Sequence, residues 1–191
     1  MNLYYTTNRL ILKTEDRSAA SKVLAFYKKN RPYFDAWEIT RPSNFYTETF
    51  QDASLSCESN EMDEHHAIRL WVYDQAEYLK NSYEAPIIGS ICISHIQFGA
   101  FQSGILGYKL DHDYWGKGYA FEACQKVISI AFNEYHLHRL ECYIMPSNER
   151  SIHLVRQLGF SYEGTKMSYV EVNHRYEDHL QYALVNEHPT D

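Results

Sequence analysis

The chain has 191 residues, a length that suits one domain with a substantial core. Hydrophobic residues make up 45% and charged residues 23%, which excludes a disordered or low-complexity chain. The formal net charge of -7 argues against a general nucleic-acid binder, whose contact face must be basic. Its apolar runs are too short to cross a bilayer, and the first ten residues lack a basic region followed by an apolar stretch, so we expect a cytoplasmic protein without a membrane partner. Cys57, Cys92, Cys124 and Cys142 form no CxxC pair, which predicts reduced, mostly buried thiols.

Residues 7–14 alternate enough to predict a first strand, and Asp16 or Ser18 can cap a helix reaching about Asn30, with Ala19, Val23, Phe26 and Tyr27 on one side. Residues 31–38, which hold Tyr33, Phe34, Trp37 and Glu38, read as a turn-rich aromatic stretch. Arg41-Pro42 then precedes a second helix over about 45–62. Strands near 67–73 and 86–97 are joined by a polar connection at 74–85, and a further strand covers 104–110.

The next helix has the strongest pattern in the chain. Ala120, Ala123, Cys124, Val127, Ile128, Ala131 and Phe132 recur at i, i+3, i+4, i+7, i+8, i+11 and i+12, which makes one face apolar and fit to lie on a sheet. A strand at 139–145, a break at Pro146-Ser147-Asn148 and a short helix at 149–158 stopped by Gly159 follow. Strands at 162–172 and 175–185 close the chain as a hairpin around Asn173-His174. Without repeats or linkers, the reading is one α/β domain over residues 1–191, with a mixed sheet.

Gly116-Lys117-Gly118 lies between a strand and that amphipathic helix. Glycines there let the backbone approach an anion closely, and the free N–H groups and dipole of the helix favour negative charge. The same spacing also occurs in ordinary strand-to-helix turns.

With its flanks, Asp113-Tyr114-Trp115-Gly116-Lys117-Gly118-Tyr119-Ala120, the turn resembles the coenzyme-A pyrophosphate signature of the GNAT superfamily of acetyltransferases, with Asp113 where Gln or Arg is usual. Followed by Glu122-Ala123, it is similar to the RimJ/RimL branch, which acetylates protein N-terminal amines. Leu140 through Asn148, Ser151, Leu158-Gly159-Phe160 and Glu163-Gly164 look like the family's second CoA element. The segment 176–184 looks like its closing strand, residues 7–12 like its first, and Trp37-Glu38 like a RimJ-type segment. The resemblance spans nearly the whole chain outside residues 43–97.

It implies a strongly bent mixed sheet flanked by helices on both faces, acetyl-CoA as cosubstrate and no metal. It assigns the cofactor to Tyr108, Lys109 and Leu110, to Tyr114 through Tyr119 (Tyr114, Trp115, Gly116, Lys117, Gly118, Tyr119), and to Asn148. Asn148 also reads as the cap of the short helix. Ser151 matches a serine proposed to donate to the CoA sulfur, with a surface helical serine as the alternative reading. Val155 stands where many members have a tyrosine acid.

Glu38 and Glu141 are the candidates for a base, each with an alternative role in structure or substrate positioning. His65-His66 and His136/His138 lack a third ligand at a recognised spacing, so no metal is expected. The implied acceptor is a protein N-terminus or a small amine, met by a monomer or homodimer. A non-catalytic acyl-CoA sensor is the alternative in a different class.

Overall fold

Leu10, Ile11 and Leu12 are consecutive and all fully buried. A strand turns successive side chains to opposite faces, so such a run requires a sheet covered on both sides. The computed structural model, which describes residues 3–187, has this arrangement. Leu10 and Leu12 join Leu70 and Val72 in a core with Ala123, Val127 and Val155 on one face. Ile11 joins Trp71 and Tyr73 with Val23, Phe26 and Leu55 on the other.

In chain order the elements are β1 (Tyr4–Thr6), β2 (Leu10–Lys13), α1 (Ala20–Phe34), α2 (Glu48–Asp63), β3 (Ile68–Asp74), α3 (Gln75–Lys80), β4 (Gly89–Gln97), β5 (Ser103–Leu110), α4 (Tyr119–Asn133), β6 (Arg139–Ile144), α5 (Glu149–Gln157), β7 (Ser161–Val172) and β8 (Arg175–Val185). Short 3-10 turns at Arg17–Ala19 and His112–Tyr114 precede α1 and α4. The strands form one eight-stranded sheet in the order β1-β2-β3-β4-β5-β6-β8-β7. Each neighbouring pair is antiparallel except β5 and β6.

Three sequence expectations are corrected. The strand expected over 7–14 is β2, starting only at Leu10 and preceded by β1: the Thr7 N–H donates to the Leu10 carbonyl (3.0 Å) and the Thr7 hydroxyl accepts from the Leu10 N–H (3.1 Å), which turns the chain between the two. The first helix does not stop at Asn30. It runs through Pro32, which forfeits one bond in the last turn, because Phe34 packs against Phe26 with ring centroids 5.5 Å apart. The polar connection contains α3, whose start is capped by Asp74 accepting from the Ala76 and Glu77 N–H groups at 3.0 and 3.1 Å. The closing hairpin stands as expected, with Asn173 and His174 both at positive φ (50° and 65°), as a two-residue hairpin turn requires.

The parallel pair is short. Ser103, Gly104 and Ile105 pair with Arg139, Leu140 and Glu141, and pairing stops there. Beyond this point β5 remains bonded to β4 as far as Leu110, and β6 to β8 as far as Ile144. The two halves of the sheet therefore part and leave an open cleft between residues 106–110 and 142–145.

The register of β4 on β5 fixes one wall of that cleft. A Cβ added at Gly89 would lie 2.8 Å from the Lys109 carbonyl oxygen, a backbone atom with little freedom to move. Gly89→Ala should cost about 1–3 kcal/mol, the usual toll of overpacking. The measurement is urea unfolding, in which the midpoint falls while the slope stays that of the wild type.

Candidate active site

The glycine turn is held open by its own conformation. Gly116 and Gly118 have φ of 70° and 80°, a region that side chains disfavour, and Gly118 begins α4 without any side-chain cap. The Glu122 N–H bonds to the Gly118 carbonyl at 3.1 Å, so the N–H groups ahead of it in the first turn have no partner within the helix. Uncapped N–H groups at a helix start are an anion seat.

Arg9 locks this turn to the first hairpin. Its guanidinium donates to the Lys117 carbonyl (2.9 Å) and to Glu122 (2.7 Å), and it lies 4.3 Å above the Tyr119 ring. Glu122 also accepts from the Thr7 hydroxyl (2.6 Å) and the Arg9 N–H (2.8 Å). Burial opposes its charge, but these bonds hold its carboxyl below the ordinary range. The Tyr119 hydroxyl donates to Asp74 at 3.1 Å.

On the other side of the turn, buried Asn30 accepts from the His112 N–H (3.0 Å), and Lys29 meets Asp111 and Asp113 at 2.7 and 2.6 Å. Asp111, His112 and Asp113 have the spacing of a metal cluster among the described residues, and the Lys29 ammonium supplies the positive charge there.

The cleft between β5 and β6 is a cavity of 460 Å³. Tyr108, Lys109 and Leu110 line one side; Tyr143, Met145, Asn148 and Ser151 line the other. Trp115 closes one end, its indole N–H donating to the Leu110 carbonyl at 2.8 Å. Arg150 stacks over that ring at 3.8 Å, and Tyr33 meets it edge-on at 5.5 Å. A cation and free helix N–H groups thus flank a slot with apolar walls. This suits a long thioester that ends in a pyrophosphate.

Asn148 caps α5, accepting from the Ser151 N–H at 3.2 Å, and it also lines the cavity. Ser151 faces the cavity too, and its carbonyl accepts from the Tyr108 hydroxyl at 3.3 Å. Burial pushes the Tyr108 phenol well above its ordinary value and keeps it protonated. Val155, on α5, is fully buried in the core.

Glu38, from the segment after α1, reaches into the cavity between two cations. One oxygen meets the Lys109 ammonium at 2.5 Å, and the other accepts from the Arg41 guanidinium. Glu141 is placed differently: it occupies the last position at which β6 pairs with β5, opposite Ile105. There it accepts from Arg139 (2.9 Å), Gln181 (3.4 Å) and the Tyr143 hydroxyl.

The cavity therefore brings together Tyr108, Lys109, Leu110, Trp115, Asn148, Ser151 and Glu38. Gly116, Gly118 and Tyr119 lie beyond its Trp115 end, at the start of α4. Tyr114 and Lys117 border a separate 500 Å³ cavity beside α1, and the Lys117 ammonium donates to the Asp113 carbonyl at 2.7 Å. Lys117 thus braces the turn. Sequence reasoning missed Arg9, Arg41 and Arg150; the basic residue in Arg41-Pro42 was the one visible hint.

Residues 9–161 match the family described as "Acetyltransferase (GNAT) domain". The [Ribosomal protein uS5]-alanine N-acetyltransferase of Escherichia coli (strain K12) is 28% identical over 179 residues, covering 94% of this chain and 89% of that protein. The ribosomal-protein-S5-alanine acetyltransferase of Vibrio fischeri has a solved structure similar to this one, with a TM-score of 0.89 and 26% identity over 99% of this chain and 100% of the other. Mycobacterium smegmatis RimJ, solved in complex with CoA-disulfide, shares the fold at a TM-score of 0.84 and 21% identity, over 93% of this chain and 82% of that one. Match, topology and cleft agree: the chain belongs to the GNAT family and is an acetyl-CoA-dependent N-acetyltransferase.

Proposed function

We propose that the acceptor is the N-terminal α-amine of a protein, of the ribosomal-protein-alanine kind, and that it attacks the thioester directly in a ternary complex. The observation that carries this reading is a second opening behind Glu38. A 300 Å³ cavity lined by Arg31, Asp35, Thr40, Tyr46 and Asn173 shares Glu38, Ile39 and Arg41 with the main cleft. An amine held at Glu38 would have room behind it for the rest of a polypeptide. The likeness to the uS5-alanine enzymes supports the same acceptor. Such an acceptor places the enzyme in the cytoplasm, where it acts as a monomer or homodimer.

The chemistry asks little of the protein. An α-amine titrates near ~7.7–8.0, so roughly a tenth or more is neutral at pH 7, and a carboxylate to orient it suffices. A lysine side chain near ~10.4 would need a far stronger base. Glu38 is placed to orient the amine. Glu141, tied to Arg139 and Tyr143, fits a role in holding β6.

The uncapped α4 start and the parted backbones of β5 and β6 fit the pyrophosphate and pantetheine of acetyl-CoA, which supplies an activated acetyl group when bound. At the far end of the cleft, Ser151 and Tyr108 place two hydroxyls near the first turn of α5, positioned to donate a proton to the departing sulfur.

The acceptor is tested by mixing the enzyme and acetyl-CoA with alanine-initiated peptides and small amines and following thiol release. Turnover of small amines alone overturns the polypeptide reading, and CoA binding without any turnover favours a sensor. In Gly118→Asp a carboxylate faces the anion seat, and CoA affinity should fall at least about a hundredfold, ~2.7 kcal/mol, by calorimetry. Unchanged affinity would refute the seat. Ser151→Ala should lower kcat about tenfold while CoA affinity holds, and full activity would return the serine to a surface role.

A further inference from the structure

Glu38 is not free to receive an amine as the cleft stands, because Lys109 already holds one of its oxygens at 2.5 Å. The groups around Lys109 come from every neighbouring element. Tyr27 of α1 lies with its ring 5.9 Å from the ammonium, and Glu38 and Arg41 follow α1. Arg69 of β3 pairs with Glu58 of α2 at 3.2 Å, and Cys92 of β4 completes that side. Tyr143 of β6 and His179 of β8 face the same cavity from across the cleft.

Within this set Arg41, Arg69 and Lys109 oppose Glu38 and Glu58, so the cluster carries one positive charge too many while Lys109 is protonated. Arginine keeps its charge at any accessible pH, and lysine does not. Burial, followed by the nearby Arg41 and Arg69, pushes the Lys109 ammonium down to about 7, while Cys92 and Glu58 pull the other way. Lys109 is therefore the group whose proton can be given up.

We propose that the Lys109 ammonium is an internal stand-in for the acceptor: it occupies the amine seat on Glu38 in the free enzyme, and loses its proton to solvent when the acceptor's ammonium arrives. This rests on the reading that Glu38 receives the acceptor amine. Both groups are alkylammonium ions offering N–H donors to the same oxygen. Two such charges on one carboxylate repel, and exchanging one for the other leaves the charge of the cluster unchanged. Lys109 is thus a positioning residue that keeps Glu38 ionised and correctly aimed until substrate takes over.

The experiment measures proton release. The full-length enzyme saturated with CoA is titrated with an alanine-initiated hexapeptide and, separately, with spermidine, at about pH 6 in buffers of different ionisation enthalpy. There Lys109 is mostly protonated, and binding to wild type should release roughly one proton. Lys109→Met should release almost none. Lys109→Arg keeps a charge that cannot leave, so it too should release almost no proton and the acceptor KM should rise at least about tenfold.

Equal proton release in wild type and Lys109→Met, or a wild-type KM in Lys109→Arg, overturns the proposal. A circular dichroism spectrum and a urea midpoint like those of the wild type confirm that each variant is folded. If spermidine alone is turned over, the polypeptide reading fails and the spermidine titration still decides the role of Lys109.

Discussion

The whole site depends on a pairing that stops. Parallel strands β5 and β6 share only three residues on each side before they separate. Each keeps its other neighbour, so the sheet divides into two well-bonded halves without losing its continuity. Backbone groups left unpaired inside a protein are costly, which explains why the division must serve a partner. The walls it creates line the cleft, and the helices that follow each strand, α4 and α5, begin beside it.

Rigidity at that rim comes from distant chain segments. Arg9 and Thr7, from the first hairpin, meet Glu122 of α4, and Asn30 of α1 meets the backbone of His112. The glycine turn needs positive φ twice, a conformation that a free chain visits among many others. Three bonds from Arg9 and two ion contacts from Lys29 select it before any ligand arrives. Preorganisation of this sort lowers the ordering cost that binding would otherwise carry.

The legible parts of the sequence were those set by local pattern. Gly116 and Gly118, the seven-position stripe of α4 and the Asn173-His174 hairpin each follow from residues close in sequence, and the structure has all three. The errors have a common origin in tertiary packing. Pro32 suggested a stop, but the Phe26–Phe34 contact carried α1 past it. The 74–85 stretch read only as a polar connection because α3 buries none of its residues, and only the Asp74 cap marks it. Glu38 and Lys109 were each picked out from a resemblance, yet their pairing with one another and with Arg41 could not be, since no periodicity links a residue after α1 to one on β5.

Val155 shows how one position can change meaning without emptying the site. At a place where a tyrosine would bring a hydroxyl to the cleft from α5, this chain has an aliphatic residue packed wholly into the core. The hydroxyl near the first turn of α5 comes instead from Tyr108, across the cleft on β5. Burial raises the Tyr108 phenol, so it stays protonated throughout the range in which an α-amine becomes a nucleophile. Its bond to the Ser151 carbonyl also fixes that phenol against the turn bearing the Ser151 hydroxyl. Hydroxyls reach this cleft from both of its walls, and the distance between those walls, set where β5 and β6 cease to pair, governs how they meet.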